Sequence, residues 1–119
     1  MRLALGTLAI FLAAGTGIAG EANVVDVKVT AAGSGFRFQV TVAHADEGWD
    51  HYADRWEILG PDGAVLAVRV LAHPHENEQP FTRGLPEVEI APEVRRVRVR
   101  AHDSVHGEGG AEIEVALPR

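Results

Sequence analysis

Six histidines stand in three short polar segments of this 119-residue chain and nowhere else. "HADEGWDHYAD" (44–54) carries His44 and His51, "HPHENEQPFTRGL" (73–85) carries His73 and His75, and "HDSVHGEGG" (102–110) carries His102 and His106. Asp46, Glu47, Asp50, Asp54, Glu76, Glu78, Asp103 and Glu108 are interspersed among them. Neutral imidazole is a common ligand for zinc and copper, and carboxylates often complete such sites. His73 and His75 are two apart, so in an extended segment both rings point the same way. Pro74 between them stiffens the backbone. His102 and His106 bracket a tight loop that lets their rings converge. The chain has no cysteine, and its one methionine is Met1. A soft cuprous site is therefore disfavoured, and an imidazole site suits Cu(II), Zn(II) or Ni(II), with copper(II) or zinc expected first. The expected ligands are His73, His75, His102 and His106, followed by His51 and His44. His44 shares the inward parity of Val42, which also fits a buried, hydrogen-bonded ring.

The same segments supply a second reading. Trp49 and Tyr52 in "GWDHYADRW" are side chains that anchor interfaces well. With Phe81, Arg83 and Glu78 they make a candidate binding surface, although Phe81 also suits a plug for the open end of a core, and Arg83 a tie to Glu78 or Asp54. The alternative function is then a non-catalytic interaction module with a periplasmic protein partner and structural histidines. Enzymatic chemistry has thin support. Ser104 in "HDSVH" lies near histidine and aspartate in sequence, but catalytic triads are defined in space. "GEGG" leads into a strand, whereas phosphate-cradling loops lead into a helix. No catalytic residue is assigned.

These segments need a scaffold, and period-two alternation provides it. Apolar residues alternate with polar ones at Val25, Val27 and Val29; at Phe36, Phe38, Val40 and Val42; and at Trp56 and Ile58. The pattern continues at Leu66, Val68 and Val70; Val88 and Ile90; Val97 and Val99; and Ile113, Val115 and Leu117. Turn signals separate them: "AAGSG", "GPDG", "APE" and "GEGG". The expected fold is all-β, an immunoglobulin/fibronectin III-like seven-stranded β-sandwich in one domain. If the strands run alternately up and down, the three histidine segments fall at one end and the short turns at the other. Loops rooted in a rigid scaffold are where binding residues concentrate.

The first residues, "MRLALGTLAIFLAAGTGIAG", read as a secretory signal peptide: a basic Arg2, an apolar run and then small residues. Cleavage after Ala19 or Ala22 fits, and the organisation expected is a signal peptide at 1–22 and a β-sandwich at 23–119. The mature chain is expected to be periplasmic or secreted, with no membrane span after cleavage. The formal charge of −6 argues against nucleic acid as a partner.

"GWDHYAD", "HPHENEQPFTR" and "AHDSVHGEGG" together resemble motifs of small exported bacterial proteins to which no activity is attached. The resemblance covers most of the chain after the signal. It implies export and a single β-rich domain, and it implies no reaction, substrate or cofactor.

Overall fold

The computed structural model describes residues 20–119. The expected signal peptide lies outside the described residues except for Gly20 to Ala22. Seven strands follow in chain order: β1 (Asn23–Ala32), β2 (Gly35–Ala43), β3 (Ala53–Leu59), β4 (Val65–Val70), β5 (Phe81–Val88), β6 (Arg96–Asp103) and β7 (Ile113–Ala116). They form two antiparallel sheets, ordered β1-β2-β5 and β4-β3-β6-β7. This is the expected seven-stranded sandwich. Among the described residues no helix is long and apolar enough to cross a membrane.

The core lies between the sheets and follows the alternation. Phe36, Phe38, Val40 and Val42 of β2 are buried against Trp56 and Ile58 of β3 and Val97, Val99 and Ala101 of β6. Trp56 is fully buried. Pairing β1 to β2 from Asn23↔Ala43 to Ala32↔Gly35 puts the start of β1 beside the end of β2. Pairing β3 to β6 puts Ala53, the start of β3, opposite Asp103, the end of β6. The connections β2–β3, β4–β5 and β6–β7 therefore share one end of the sandwich with residues 20–22.

Three strands depart from the sequence reading. In β1 the register shifts between Val24 and Asp26. Such a bulge reverses the alternation, so Val24 is buried, Val25 is exposed, and Val27 and Val29 again pack against the core. In β4 the phase is opposite to the expected one. Ala67 and Arg69 lie opposite Ile58 and Trp56 and face inward, while Leu66, Val68 and Val70 are exposed. Arg69 reaches across the open edge and donates from Nε to the Gly84 carbonyl at 2.9 Å. β5 begins at Phe81, well before the alternation at Val88, and pairs with β2 through Val42↔Phe81 and Gln39↔Gly84. Gly84 and Pro86 hide this strand in the sequence, and both are tolerated because β5 is an edge.

Candidate metal centre

Two strand ends and one loop bring the central groups together. His44 follows directly on β2 and keeps the inward direction of Val42, so its ring is buried. Asp103 ends β6 with the inward direction of Val97, Val99 and Ala101, and is fully buried. His51 comes from the β2–β3 connection. That loop is folded back on itself by the Glu47 N–H to the His51 carbonyl (2.7 Å) and the His51 N–H to the Gly48 carbonyl (3.3 Å). Gly48 takes φ of 75° there, a conformation that favours glycine.

The two carboxylate oxygens of Asp103 have separate tasks. Oδ1 accepts the backbone N–H groups of Val105 (2.7 Å) and His106 (2.8 Å), which holds the following turn. Oδ2 faces the Nε2 atoms of His44 and His51, the latter at 2.8 Å. The Gly20 carbonyl oxygen faces the same two nitrogens at 3.0 and 3.2 Å. One donor atom from each of His44, His51 and Asp103 lies within 4.8 Å of the others.

The far side of each imidazole is also held by a carboxylate. His44 Nδ1 contacts Asp46 Oδ1 at 2.5 Å, and His51 Nδ1 contacts Glu47 Oε1 at 2.8 Å. An ionised carboxylate only accepts hydrogen bonds, so both Nδ1 atoms are the protonated ones. In the neutral rings both Nε2 atoms then carry lone pairs, and they point at two oxygens that carry lone pairs as well. Four electron-pair donors meeting at one point require either additional protons or a cation between them. Carboxylate–histidine pairs of this kind orient metal-ligating imidazoles and raise their basicity. A metal held tetrahedrally at about 2.0–2.1 Å would space its donors about 3.3 Å apart. The Gly20 carbonyl contacts lie close to that spacing, the Asp103–His51 contact would open by about half an ångström, and the shorter Asp103–His44 contact would open further.

The electrostatics reflect the same crowding. The Glu47 hydrogen bond raises the His51 pKa above its ordinary 6.5, partial burial opposes it, and Asp103 and the Gly20 carbonyl add to the rise. Burial pushes Asp103 upward. The His106 and Val105 N–H groups, with the two imidazoles, outweigh it and hold the carboxyl below its ordinary 3.8.

The other expected ligands sit apart from this point. His106 meets the edge of the His51 ring, with centroids 5.1 Å apart, at the exposed rim. His102 Nδ1 bonds Asp54 at 2.7 Å, and its Nε2 lies 3.8 Å from Glu108. His73 and His75 do stand side by side, with centroids 4.6 Å apart. His75, however, is buried and stacked on Phe81 at 3.9 Å, and neither of its ring nitrogens has a hydrogen-bond partner. Burial, then the charges of Arg83 and His73, lower its pKa.

The candidate binding residues divide as well. Trp49 is 66% exposed and meets Tyr52 edge to face at 5.6 Å. Phe81 is 1% exposed and offers a partner no surface, because it opens β5 in the core under His75. Arg83 bonds Glu78 at 3.0 Å and lies over the Phe81 ring, so this pair holds the β4–β5 connection in shape. Ser104 accepts the Tyr52 N–H at 3.0 Å, which gives its hydroxyl a structural task.

Sequence reasoning did not place Asp103, Asp46 or Gly20 at the site. The first had a legible signal: a carboxylate at the inward-facing position that ends a strand, matched by an inward-facing histidine ending another.

No family model matches the chain, and no solved structure matches it. The chain is similar to a protein of Halomicrobium mukohataei named "Putative lipoprotein", with 43% identity over 96 residues. The match covers 80% of this chain and 47% of that protein, so the chain spans about half the length of the relative it matches.

Proposed function

We propose that this chain is an exported β-sandwich protein that binds a divalent transition metal, copper(II) or zinc, through His44, His51 and Asp103. The observation that carries the reading is the pair of carboxylate-backed imidazoles whose Nε2 atoms converge on Asp103 Oδ2 and the Gly20 carbonyl. The cluster belongs to the end of the sandwich where all the long connections meet, so a metal there joins the ends of β2 and β6 to the β2–β3 loop. Export is supported by the apolar N-terminal run and by the name of the similar protein. The periplasm or the cell exterior is where the domain would meet its metal.

The test is a titration of the protein with copper(II) and with zinc by calorimetry, together with the melting midpoint. A ligand that binds the native state raises that midpoint by mass action. The expected result is saturable binding of one ion per chain and a higher midpoint. If micromolar copper and zinc both leave the midpoint unchanged at pH 7.5, the metal reading fails.

The exposure of Trp49 favours a second reading, a protein-interaction module using Trp49 and Tyr52 with structural histidines. It predicts no metal-dependent shift, and loss of partner binding on Trp49→Ala.

A further inference from the structure

Residues 20–23 are built into the domain. Ala22 is buried in the core, and the Val24 N–H bonds the Ala111 carbonyl at 2.9 Å. The Asn23 side chain accepts the Ala111 N–H at 2.8 Å. The second and third glycines of "GEGG" make room for this segment. A Cβ on Gly109 would lie 1.8 Å from Glu21 Oε1, and one on Gly110 would lie 1.9 Å from the Ala22 carbonyl oxygen. The β6–β7 connection is thus shaped around the chain just before β1. Gly20 itself is pressed against the histidines. Its φ is +92°, and a Cβ there would meet His106 Nε2 at 3.3 Å and His51 Cε1 at 3.8 Å.

Cleavage after Ala19 would make Gly20 the first residue of the mature chain. Before cleavage the Gly20 nitrogen is an amide whose lone pair is delocalised into the Ala19 carbonyl, and while it keeps its proton it is no metal donor. Hydrolysis of the Ala19–Gly20 bond consumes one water, leaves a carboxylate on Ala19 and leaves a primary amine on Gly20. Only Cα and the carbonyl carbon separate that amine from the oxygen already in the site. Amine and carbonyl of one residue can close a five-membered chelate ring on a single ion.

We propose that removal of residues 1–19 completes the metal site, by adding the α-amine of Gly20 to its carbonyl, His44, His51 and Asp103. The proposal rests on the metal reading above. A donor tethered to one already bound adds in an intramolecular step, so its gain multiplies the affinity of the remaining set. High affinity would then arise only once the chain has been exported and cut. Cleavage after Ala22, the other boundary open in the sequence, would discard Gly20 and the buried Ala22.

The experiment compares two chains, one starting at Gly20 and one with Ala19 retained in front of it and the Ala19 α-amine acetylated. Both contain all seven strands and every residue of the core cluster, and equal metal-free melting midpoints check that both fold alike. Each is titrated with copper(II) and with zinc, and the copper complexes are examined by electron paramagnetic resonance. The chain starting at Gly20 is expected to bind about tenfold or more tightly than the extended one, with one additional nitrogen coupled to copper. Equal affinities with the same nitrogen count would overturn the proposal and leave the three-residue cluster standing. Failure of both chains to bind either ion would overturn the metal reading itself. Mass measurement of the exported protein supplies an independent check: a mature chain beginning at Asn23 would also overturn the proposal.

Discussion

At the scale of single residues, the site depends on which side of each ring is already occupied. His44 and His51 turn Nε2 inward because Asp46 and Glu47 hold Nδ1. His102 has Nδ1 on Asp54 but sits on the outer side of the sheet, away from Asp103. His51→Ala should therefore abolish tight copper and zinc binding, whereas His102→Ala should leave it nearly unchanged. Glu47→Gln, at an exposed side chain that bears on His51 only from behind, should weaken binding about tenfold, the low end for such outer partners. Calorimetric titration of the three variants checks the order. Binding should also weaken as pH falls, with the loss beginning above pH 6.5 because the His51 pKa is raised, since protons compete for the imidazoles. Histidine and carboxylate chemistry at one end of the fold was legible in the sequence. The choice among the six histidines was not, because it depends on the partner of each Nδ1, and those partners come from different loops. The inward parity of His44 was visible, yet in a strand pattern it reads equally as packing. Asp103 with the same parity is what makes the pair a candidate site.

At the scale of elements, alternation located six of the seven strands and the wrong signals misled at the edges. β4 has apolar residues on both readings of its pattern, so the sequence does not reveal that Ala67 and Arg69 face the core. The expected energetic contrast is sharp. Trp56→Ala in β3 removes a fully buried indole and should cost about 3–5 kcal/mol. Val68→Thr in β4 changes a side chain that is 42% exposed and should stay within about 0.5 kcal/mol. Urea unfolding of both variants measures the difference. The outer face of the β3–β6 pair gives a pH prediction. Glu57 is buried, and burial alone would raise its pKa. Hydrogen bonds from Arg55 at 2.8 Å and Arg100 at 2.7 Å outweigh it and hold the carboxyl below its ordinary 4.5. A carboxylate depressed in the folded state stabilises above its unfolded pKa, and that contribution is lost as pH falls through the folded value. Stability should therefore decline below about pH 4.5, with a shallower decline in Glu57→Gln. Unfolding midpoints at a series of pH values would show it.

At the scale of the whole molecule, the two ends of the sandwich are unequal. One end has short turns at Gly60–Gly63 and around Ala91–Val94. The other carries all the long connections and every histidine. This inequality follows from the alternation of strand direction alone, and so it is legible in the residue pattern. The part played by Gly20 to Ala22 is not. Those residues look like the tail of an apolar leader, and composition does not reveal that they cross the β6–β7 connection. The acidic residues gathered among the histidines give this end a negative field, which raises the local concentration of cations and weakens with added salt.

Asp46 links the β2–β3 and β4–β5 connections at this end. Its Oδ1 holds His44 Nδ1 and the Ala53 N–H, and its Oδ2 accepts the His75 N–H at 2.6 Å. Gln79 adds a parallel link: it accepts the His44 N–H and donates to the His75 carbonyl. The two loops are therefore tied to each other through the backbone and ring of His44 and the backbone of His75. An ion that fixes the His44 ring would steady the backbone at His75, some thirty residues away in sequence, without touching it. Amide hydrogen exchange would register this as slower exchange at His75 on metal loading. Asp46→Asn would uncouple the loops, leaving His75 exchange indifferent to the ion.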